Sequence, residues 1–279
     1  MLDLDEKTIT EAVLRTMAQT ADERIRTVLG SMVRHLHEFV REVAPTEAEW
    51  AGAIDFLTRT GQKCDDRRQE FILLSDVLGV TMLVDAVNYR RGSGVTENSV
   101  QGPFYRQERP EFADGADISN GVPGTPLLLR AVVVDTAGAP IAGAEFDVWH
   151  ADGEGRYDTE ISGHDDAAMR GLFRTGRDGT VSVRSIAPAA YPIPDDGPVG
   201  ELMRTTGRPV MRPGHIHVRI AAPGFSTVTT MLFRDDDPHL GSDPVFGSRR
   251  SLLYPRDVHD DGQGPFDLVE RTFVLDREH

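Results

Sequence analysis

The sequence predicts a mixed fold, with a helical region at the N-terminus followed by an all-β region of the sandwich or barrel kind. Two observations carry this: apolar residues recur at i, i+3, i+4 and i+7 in the first part of the chain, and from about residue 125 the apolar period changes to two. A third observation, a proline-stiffened stretch over residues 191–214 with no clear period, marks a candidate site within the β region.

In the first region, Ile25, Val28, Leu29, Met32, Val33, Leu36, Phe39, Val40 and Val43 fall on one helical face, so residues 8–43 read as one helix or two. Pro45 stops this pattern, and Thr46 with Glu49 has the spacing of a capping box for the next helix, which is apolar at Trp50, Ile54 and Leu57. A third helix is expected from Arg67 to Tyr89, apolar at Phe71, Leu74, Val77, Leu78 and Leu83. Beyond residue 125, LLLRAVVVD, AEFDVWH, TVSVRSI, HIHVRIAA, STVTTMLF and DLVERTFVL suit strands bounded by Gly, Pro and Asp turns. No helix of useful length is expected there. The stretch 191–214, held stiff by Pro192, Pro194, Pro209 and Pro213, joins Tyr191 to His215.

Composition narrows the function. A net charge of -15 argues against nucleic-acid binding, which needs a basic face to displace counterions. The single cysteine, Cys64, allows no intrachain disulfide and no thiolate metal site, and reads as a spectator thiol. No apolar run approaches the ~20 residues of a membrane span, and the acidic, amphipathic start has no signal-peptide core. A cytoplasmic protein without membrane insertion is therefore expected. The CxxC, HExxH, P-loop and GxSxG patterns are all missing from the sequence, which leaves serine-based hydrolysis unsupported.

His215-Ile216-His217 is the sharpest local signal. In a strand, residues i and i+2 share a face about 6.5–7 Å apart, so two imidazoles can meet one metal; a hydrogen-bonded histidine pair in a half-buried strand fits the same tripeptide. His35 and His37 share the spacing but lie on a predicted helix, where they diverge by roughly 200° and cannot chelate one ion. A cupin-like site would need a glutamate soon after the histidines, yet VRIAAPGFSTV follows. An amidohydrolase would place its HxH at the end of the first strand of an α/β barrel. Tyr157, closing ADGEGRY, and Tyr191 stand in suggestive contexts, although each alone also fits a core aromatic.

Longer segments carry a resemblance. FLTRTGQKCDDRRQEFILLSDVLGVTMLVDAVN and VTENSVQGPFY in the first half, then GAPIAGAEFDVWHADGEGRYD, YPIPDDGPVG, RPGHIHVRI and SDPVFG, follow the order and spacing of a known family. The chain resembles the intradiol ring-cleavage dioxygenases, nearest to their hydroxyquinol-cleaving members. The resemblance implies a β-sandwich catalytic domain over 101–279, after a helical dimerisation and linker domain over 1–100. It implies one Fe(III) held by Tyr157, Tyr191, His215 and His217. Tyr191 would also serve as a base, and Arg212 would stabilise a developing carbanion. Two phenolates suit a hard trivalent cation, because coordination strips the proton from a phenol whose free pKa is near 10.

By the same resemblance, the pocket is lined by Leu73, Asp76, Val100, Gly102, Pro103, Phe104, Ile193, Pro194 and Val245. The substrates would be hydroxyquinol and O2, giving 3-hydroxy-cis,cis-muconate/maleylacetate, with Asp76 accepting a hydrogen bond from the third ring hydroxyl. The alternative is catechol, giving cis,cis-muconate. A homodimer through the N-terminal helices is implied, and family members often hold a phospholipid at that interface. Two departures stand out: Met231 replaces a glutamine common near the site, and Glu160 stands where glutamine is frequent. A reading from another class, a non-catalytic transthyretin-like sandwich module, rests on GAPIAGAEFDVW alone and requires neither the tyrosines with HxH nor the helical half.

Overall fold

Each of the six predicted strand segments forms a strand in the computed structural model, which describes residues 3–65, 68–89, 92, 94–161, 167–262 and 264–278. In chain order the strands are β1 (Pro126–Asp135), β2 (Glu145–His150), β3 (Arg170–Arg174), β4 (Thr180–Ile186), β5 (Tyr191–Pro192), β6 (Met211–Arg212), β7 (His215–Ala221), β8 (Val228–Arg234), β9 (Leu253–Tyr254), β10 (Val258–Asp260) and β11 (Pro265–Leu275). One sheet has the order β10-β11-β1-β4 and the other β3-β2-β7-β8-β9, with β5-β6 a separate ribbon. The inner faces meet in one apolar core. Leu127, Leu129, Ala131, Val133, Val183 and Phe273 come from the first sheet; Phe146, Val148, Ile216, Val218, Ile220 and Leu232 come from the second. Phe146 and Phe273 touch edge to face across it, with ring centres 5.6 Å apart. Two sheets burying facing side chains make a sandwich.

Register decides what lies outside this core. Ile216, Val218 and Ile220 of β7 point inward, so His215 and His217 project from the opposite face of the sheet. There His217 is flanked by Trp149 of β2 and Met231 of β8, while His215 is paired with Phe233.

The helices are α1 (Ile9–Thr16), α2 (Glu23–Val43), α3 (Glu47–Gln62), α4 (Glu70–Val77), α5 (Val80–Asn88) and α6 (Pro198–Thr205). The chain forms two compact units, one up to Arg59 and one from Thr60. In the first, residues 8–43 resolve into two helices. The Asp22 carboxylate accepts from Ile25 N at 2.9 Å and starts the second of them. The expected capping box is present: Thr46 N donates to Glu49 Oε2 at 2.8 Å, and Glu49 N donates to Thr46 Oγ1 at 3.3 Å. His35 pairs with Glu38 and His37 with Thr10, so the two imidazoles take different partners.

Two sequence expectations are corrected. The single helix expected from Arg67 to Tyr89 is two helices, because Gly79, at φ +72°, breaks it between α4 and α5; Arg67 itself lies outside the described residues. The β region, in which no helix of useful length is expected, holds the eight-residue α6 in the middle of the 191–214 stretch. Pro198 sits in its first turn, where a missing N–H costs nothing, and the capping group comes from far away. The fully buried Glu70 carboxylate of α4 accepts from Val199 N at 3.1 Å. Val77 and Met82 of α4 and α5 pack with Val199 and Met203 of α6 on Met231 and Phe233, so these helices cover the outer face that carries the histidines.

His150 at the end of β2 links the two sheets, with Nε2 2.9 Å from Ser185 Oγ of β4 and Nδ1 2.7 Å from Ala151 O. Burial pushes its pKa down to about 4. The unfolded chain, with a histidine near 6.5, therefore binds the extra proton first as pH falls. The stability that goes with neutral His150 is complete above about pH 6.5 and is lost as pH drops towards 4. Urea unfolding at pH 7 and pH 5 is expected to show a smaller acid loss in His150→Gln than in the parent, by on the order of 2 kcal/mol. Equal losses in both proteins would remove His150 from this role.

Candidate metal centre

The four residues singled out as metal ligands come from three separate segments. Tyr157 follows a tight turn after β2, in which Asp152 Oδ1 accepts from Glu154 N at 2.8 Å and from Arg156 N at 2.9 Å. The backbone N–H of Tyr157 is held by Glu160 Oε2 at 2.9 Å, and the next residue, Asp158, is locked to Arg170 in a buried ion pair at 3.0 Å. Tyr191 opens β5, whose partner in the ribbon is Arg212 of β6. Gly155 makes the close approach of these segments feasible. It sits at φ +82°, and a Cβ there would stand 2.7 Å from Tyr191 Cβ and 2.9 Å from Ala190 O.

The side chains meet at one point. Tyr157 Oη lies 3.2 Å from Tyr191 Oη, which lies 3.4 Å from His215 Nε2. His215 Nε2 lies 3.1 Å from His217 Nε2, and His217 Nε2 lies 3.2 Å from Tyr157 Oη. The four atoms form a closed ring, and a centre equidistant from them would stand roughly 2.0–2.3 Å from each, a metal-to-donor bond length.

Hydrogen bonding alone does not satisfy this ring. His215 Nδ1 donates to Pro213 O at 2.7 Å, which leaves a lone pair on Nε2 facing the centre. His217 is stacked on Trp149, ring centres 4.6 Å apart and 7° from parallel, and its buried Nδ1 has no partner. Its one proton therefore cannot serve both the His215 edge and Nδ1. A single cation at the centre replaces all four contacts at once. Two oxygen and two nitrogen donors on buried side chains fit such an ion.

Electrostatics agree with neutral ligands awaiting a cation. Burial, with Arg212 adding to it, takes the pKa of His215 down to about 3. Burial and the adjacent His215 hold His217 well below its ordinary value. Burial, then Tyr191 alongside, raises the Tyr157 phenol well above the usual range, and a bound cation would reverse that shift. Arg212 stays charged: burial opposes its charge, but Tyr191 and Asp243 outweigh it and raise its pKa.

Comparison with known proteins identifies this arrangement. Residues 22–96 match the family model of the catechol dioxygenase N terminus, and residues 100–277 match that of the dioxygenase domain. The 6-chlorohydroxyquinol 1,2-dioxygenase of Cupriavidus pinatubonensis is 49% identical over 253 residues, 91% of this chain and 92% of that protein. The hydroxyquinol 1,2-dioxygenase of Rhizobium sp. is 45% identical over 98% of this chain and 96% of its own length. The chain belongs to the intradiol ring-cleavage dioxygenases. The crystal structure of hydroxyquinol 1,2-dioxygenase from Pseudomonas putida DLL-E4 superposes on this dioxygenase with a TM-score of 0.91 at 40% identity, covering 98% of this chain and 99% of that one. Membership makes the chain an enzyme and sets aside the non-catalytic module.

In this dioxygenase a cavity of about 550 Å³ reaches Tyr191 and is bounded by Leu73, Asp76, Pro103, Phe104, Ile193 and Pro194, all from the expected pocket set. Phe104 also stacks on Tyr157, ring centres 4.0 Å apart. Val100 and Val245 do not line this cavity and are buried in the apolar cluster that also contains Ile193 of its wall. Gly102, at φ +71°, abuts His217, whose Cε1 would lie 3.5 Å from a Cβ there. Asp76 is buried with Oδ1 unpartnered, and burial raises its pKa. Met231 receives a contact from Arg212 Nη2 to its sulfur at 3.4 Å. Sequence reasoning missed Trp149, the stacking partner of His217, and Asp243, which ion-pairs with Arg212 at 3.2 Å. Trp149 was visible only as part of the strand segment AEFDVWH, and Asp243 only as part of SDPVFG.

Gly155→Ala tests the meeting of the two tyrosine segments. The left-handed backbone alone costs about 1–2 kcal/mol with a Cβ present, and the contact with Tyr191 must then be relieved by moving it. The variant is expected to retain less than half the metal of the parent after dialysis, measured by elemental analysis. Equal metal content would show that Tyr191 is not held by this approach.

Proposed function

We propose that this enzyme cleaves hydroxyquinol between its two adjacent hydroxyl-bearing carbons, incorporating both atoms of O2 to give 3-hydroxy-cis,cis-muconate/maleylacetate. Ferric iron would be held by Tyr157, Tyr191, His215 and His217. The observation that carries the reading is the closed ring of two phenol oxygens and two imidazole nitrogens, 3.1 to 3.4 Å apart along its edges. Two hard anionic oxygens favour the trivalent state, and ferric iron, when bound, withdraws electron density from the coordinated ring diol.

The chain's own residues have separable tasks. Tyr191, at the inner end of the cavity, accepts a proton from a substrate hydroxyl at its Oη. Arg212 Nη1, 3.4 Å from that oxygen, supplies a fixed positive charge beside the reacting ring. Leu73, Ile193 and Pro194 offer apolar walls to the ring faces. Asp76, which lines the cavity, accepts the third ring hydroxyl with its carboxylate. Catechol lacks that hydroxyl and would leave the carboxylate unsatisfied, a strong basis for discrimination. Support for hydroxyquinol comes from the two relatives named for hydroxyquinol and its chlorinated form, at 45% and 49% identity.

Elemental analysis with a visible spectrum, before and after anaerobic addition of hydroxyquinol, tests the centre: one iron per chain and a red phenolate-to-iron band that shifts on addition are expected. A colourless protein with stoichiometric zinc would sink the iron assignment. For the substrate, kcat/KM for hydroxyquinol is expected to exceed that for catechol in the parent, and Asp76→Ala should narrow the ratio by about tenfold or more. A higher kcat/KM for catechol in the parent would reverse the substrate assignment.

The reading also includes a homodimer through the N-terminal helices and a cytoplasmic location. A helical and linker region over 1–100 before a catalytic domain over 101–279 agrees with the two family matches, 22–96 and 100–277. Support for the dimer is the apolar stripe of α2, where Ile25, Val28, Met32, Leu36, Phe39, Val40 and Val43 are 46 to 57% exposed in the single chain. A bound phospholipid would occupy part of the same surface. Among the described residues no helix is long and apolar enough to cross a membrane. Light scattering is expected to give twice the chain mass for the parent and a monomer for Met32→Glu/Leu36→Glu. A monomeric parent would remove the dimer.

A further inference from the structure

Arg212 stands beside the ring of four donors, and we infer that Asp243 is the positioning residue that aims its charge there. The inference rests on the reading of Arg212 as a stabilising charge. The guanidinium is buried and makes four kinds of contact. Nε donates to Asp243 Oδ1 at 3.2 Å, and Nη1 faces Tyr191 Oη at 3.4 Å and His215 Nε2 at 3.3 Å. Nη2 meets Met231 Sδ at 3.4 Å. These contacts are unequal. His215 Nε2 would give its one lone pair to the metal and so cannot anchor the arginine, and Tyr191 Oη, at 3.4 Å, is the group at which Nη1 is aimed. A thioether is a weak acceptor. Among the described residues, Asp243 is the only carboxylate within ion-pair distance of Arg212.

Asp243 is itself held by its own loop. Its Oδ1 accepts from Val245 N at 3.3 Å, and its Oδ2 accepts from Gly247 N at 3.0 Å and Ser248 Oγ at 3.3 Å. The loop is closed by Ser99 Oγ donating to Gly247 O at 2.8 Å. It lies so near the guanidinium that a Cβ on Gly247 would stand 3.2 Å from Arg212 Nη2. The order of control runs from backbone N–H groups to Asp243, from Asp243 to Arg212 Nε, and from the planar guanidinium to Nη1 at Tyr191 Oη. A charge fixed in advance stabilises a transition state without reorganisation, so the aim of Nη1 matters as much as its presence. With a thioether at position 231, that aim depends on Asp243.

The test uses the iron-loaded enzyme with hydroxyquinol and the variants Asp243→Asn, Arg212→Met and the pair combined. Asp243→Asn is expected to lower kcat at least tenfold with KM within threefold, and to shift the visible charge-transfer maximum. In the double variant, Asp243→Asn should add less than threefold to the loss caused by Arg212→Met. If Arg212→Met is insoluble, Arg212→Lys takes its place in the cycle. In metal-free protein, Asp243→Asn should move the ¹⁵N resonance of Arg212 Nε, a readout independent of turnover. A variant that melts earlier but keeps its band and its kcat within twofold would reduce Asp243 to a structural anchor and overturn the inference. A full tenfold loss repeated in the Arg212→Met background would also overturn it, since Asp243 would then act without Arg212. Should Arg212→Met keep its kcat within twofold, the role given to Arg212 fails, while the Nε resonance still reports whether Asp243 holds it.

Discussion

The register of β7 is the constraint on which the rest of the molecule depends. Ile216, Val218 and Ile220 are each buried to 1% exposure or less inside the sandwich, and a slip of one residue would exchange them for His215, His217 and Arg219. Three aliphatic side chains therefore pin two histidines to the outer face more firmly than any contact the histidines make. β2 and β8 on either side bring Trp149 and Met231 level with His217. The strand thus does two jobs with one alternation: one face holds the sheets together and the other begins a binding site. Everything that completes the site, from the tyrosines to α6, is laid over that second face.

Laying it there is costly. Four polar atoms, an arginine and two carboxylates, Asp76 and Asp243, are removed from water, and Asp76 Oδ1 and His217 Nδ1 are left without a partner. Well-made apolar packing behind them, from Val77 through Met203 to Phe233, offsets part of that cost. The incomplete pairing is informative because buried polar groups in a settled core are normally satisfied. A centre shaped for a cation, an unpartnered carboxylate oxygen at a cavity wall and a thioether beside a guanidinium all lie within one region. Asp76 Oδ1, Trp149 Nε1 and His217 Nδ1 are the unpartnered atoms of that region.

Much of this was legible in the primary structure, for identifiable reasons. The long strands showed themselves through β-branched residues between Gly, Pro and Asp turns, even where, as in β2, β7 and β8, both faces are buried. β3 did not, since four of its five residues are buried and RGLFR has no alternation to read. The break at Gly79 was hidden by apolar residues that continue helical spacing on both sides of it. α6 was hidden because it has only two turns and borrows its cap from Glu70, 129 positions away. In the site, the HxH pair was readable from spacing alone. Tyr157 and Tyr191 stood in suggestive contexts, but each alone also fits a core aromatic, and only the longer resemblance gave them the part of ligands. Asp243 escaped notice because its partner lies 31 residues earlier, at a distance that no local pattern spans.

The cap that Glu70 provides to α6 has a wider consequence. α4 carries Leu73 and Asp76 on one side of the cavity, and the segment leading into α6 carries Ile193 and Pro194 on the other. A carboxylate rooted in the first wall and bonded to the start of the second ties the two together, while a Cβ on Gly197 would stand only 2.4 Å from its oxygen. The gap between the walls is consequently a fixed span rather than an adjustable jaw. Bulkier or smaller aromatic rings must be accommodated by exchanging the residues that face the gap, one at a time, with the frame left untouched.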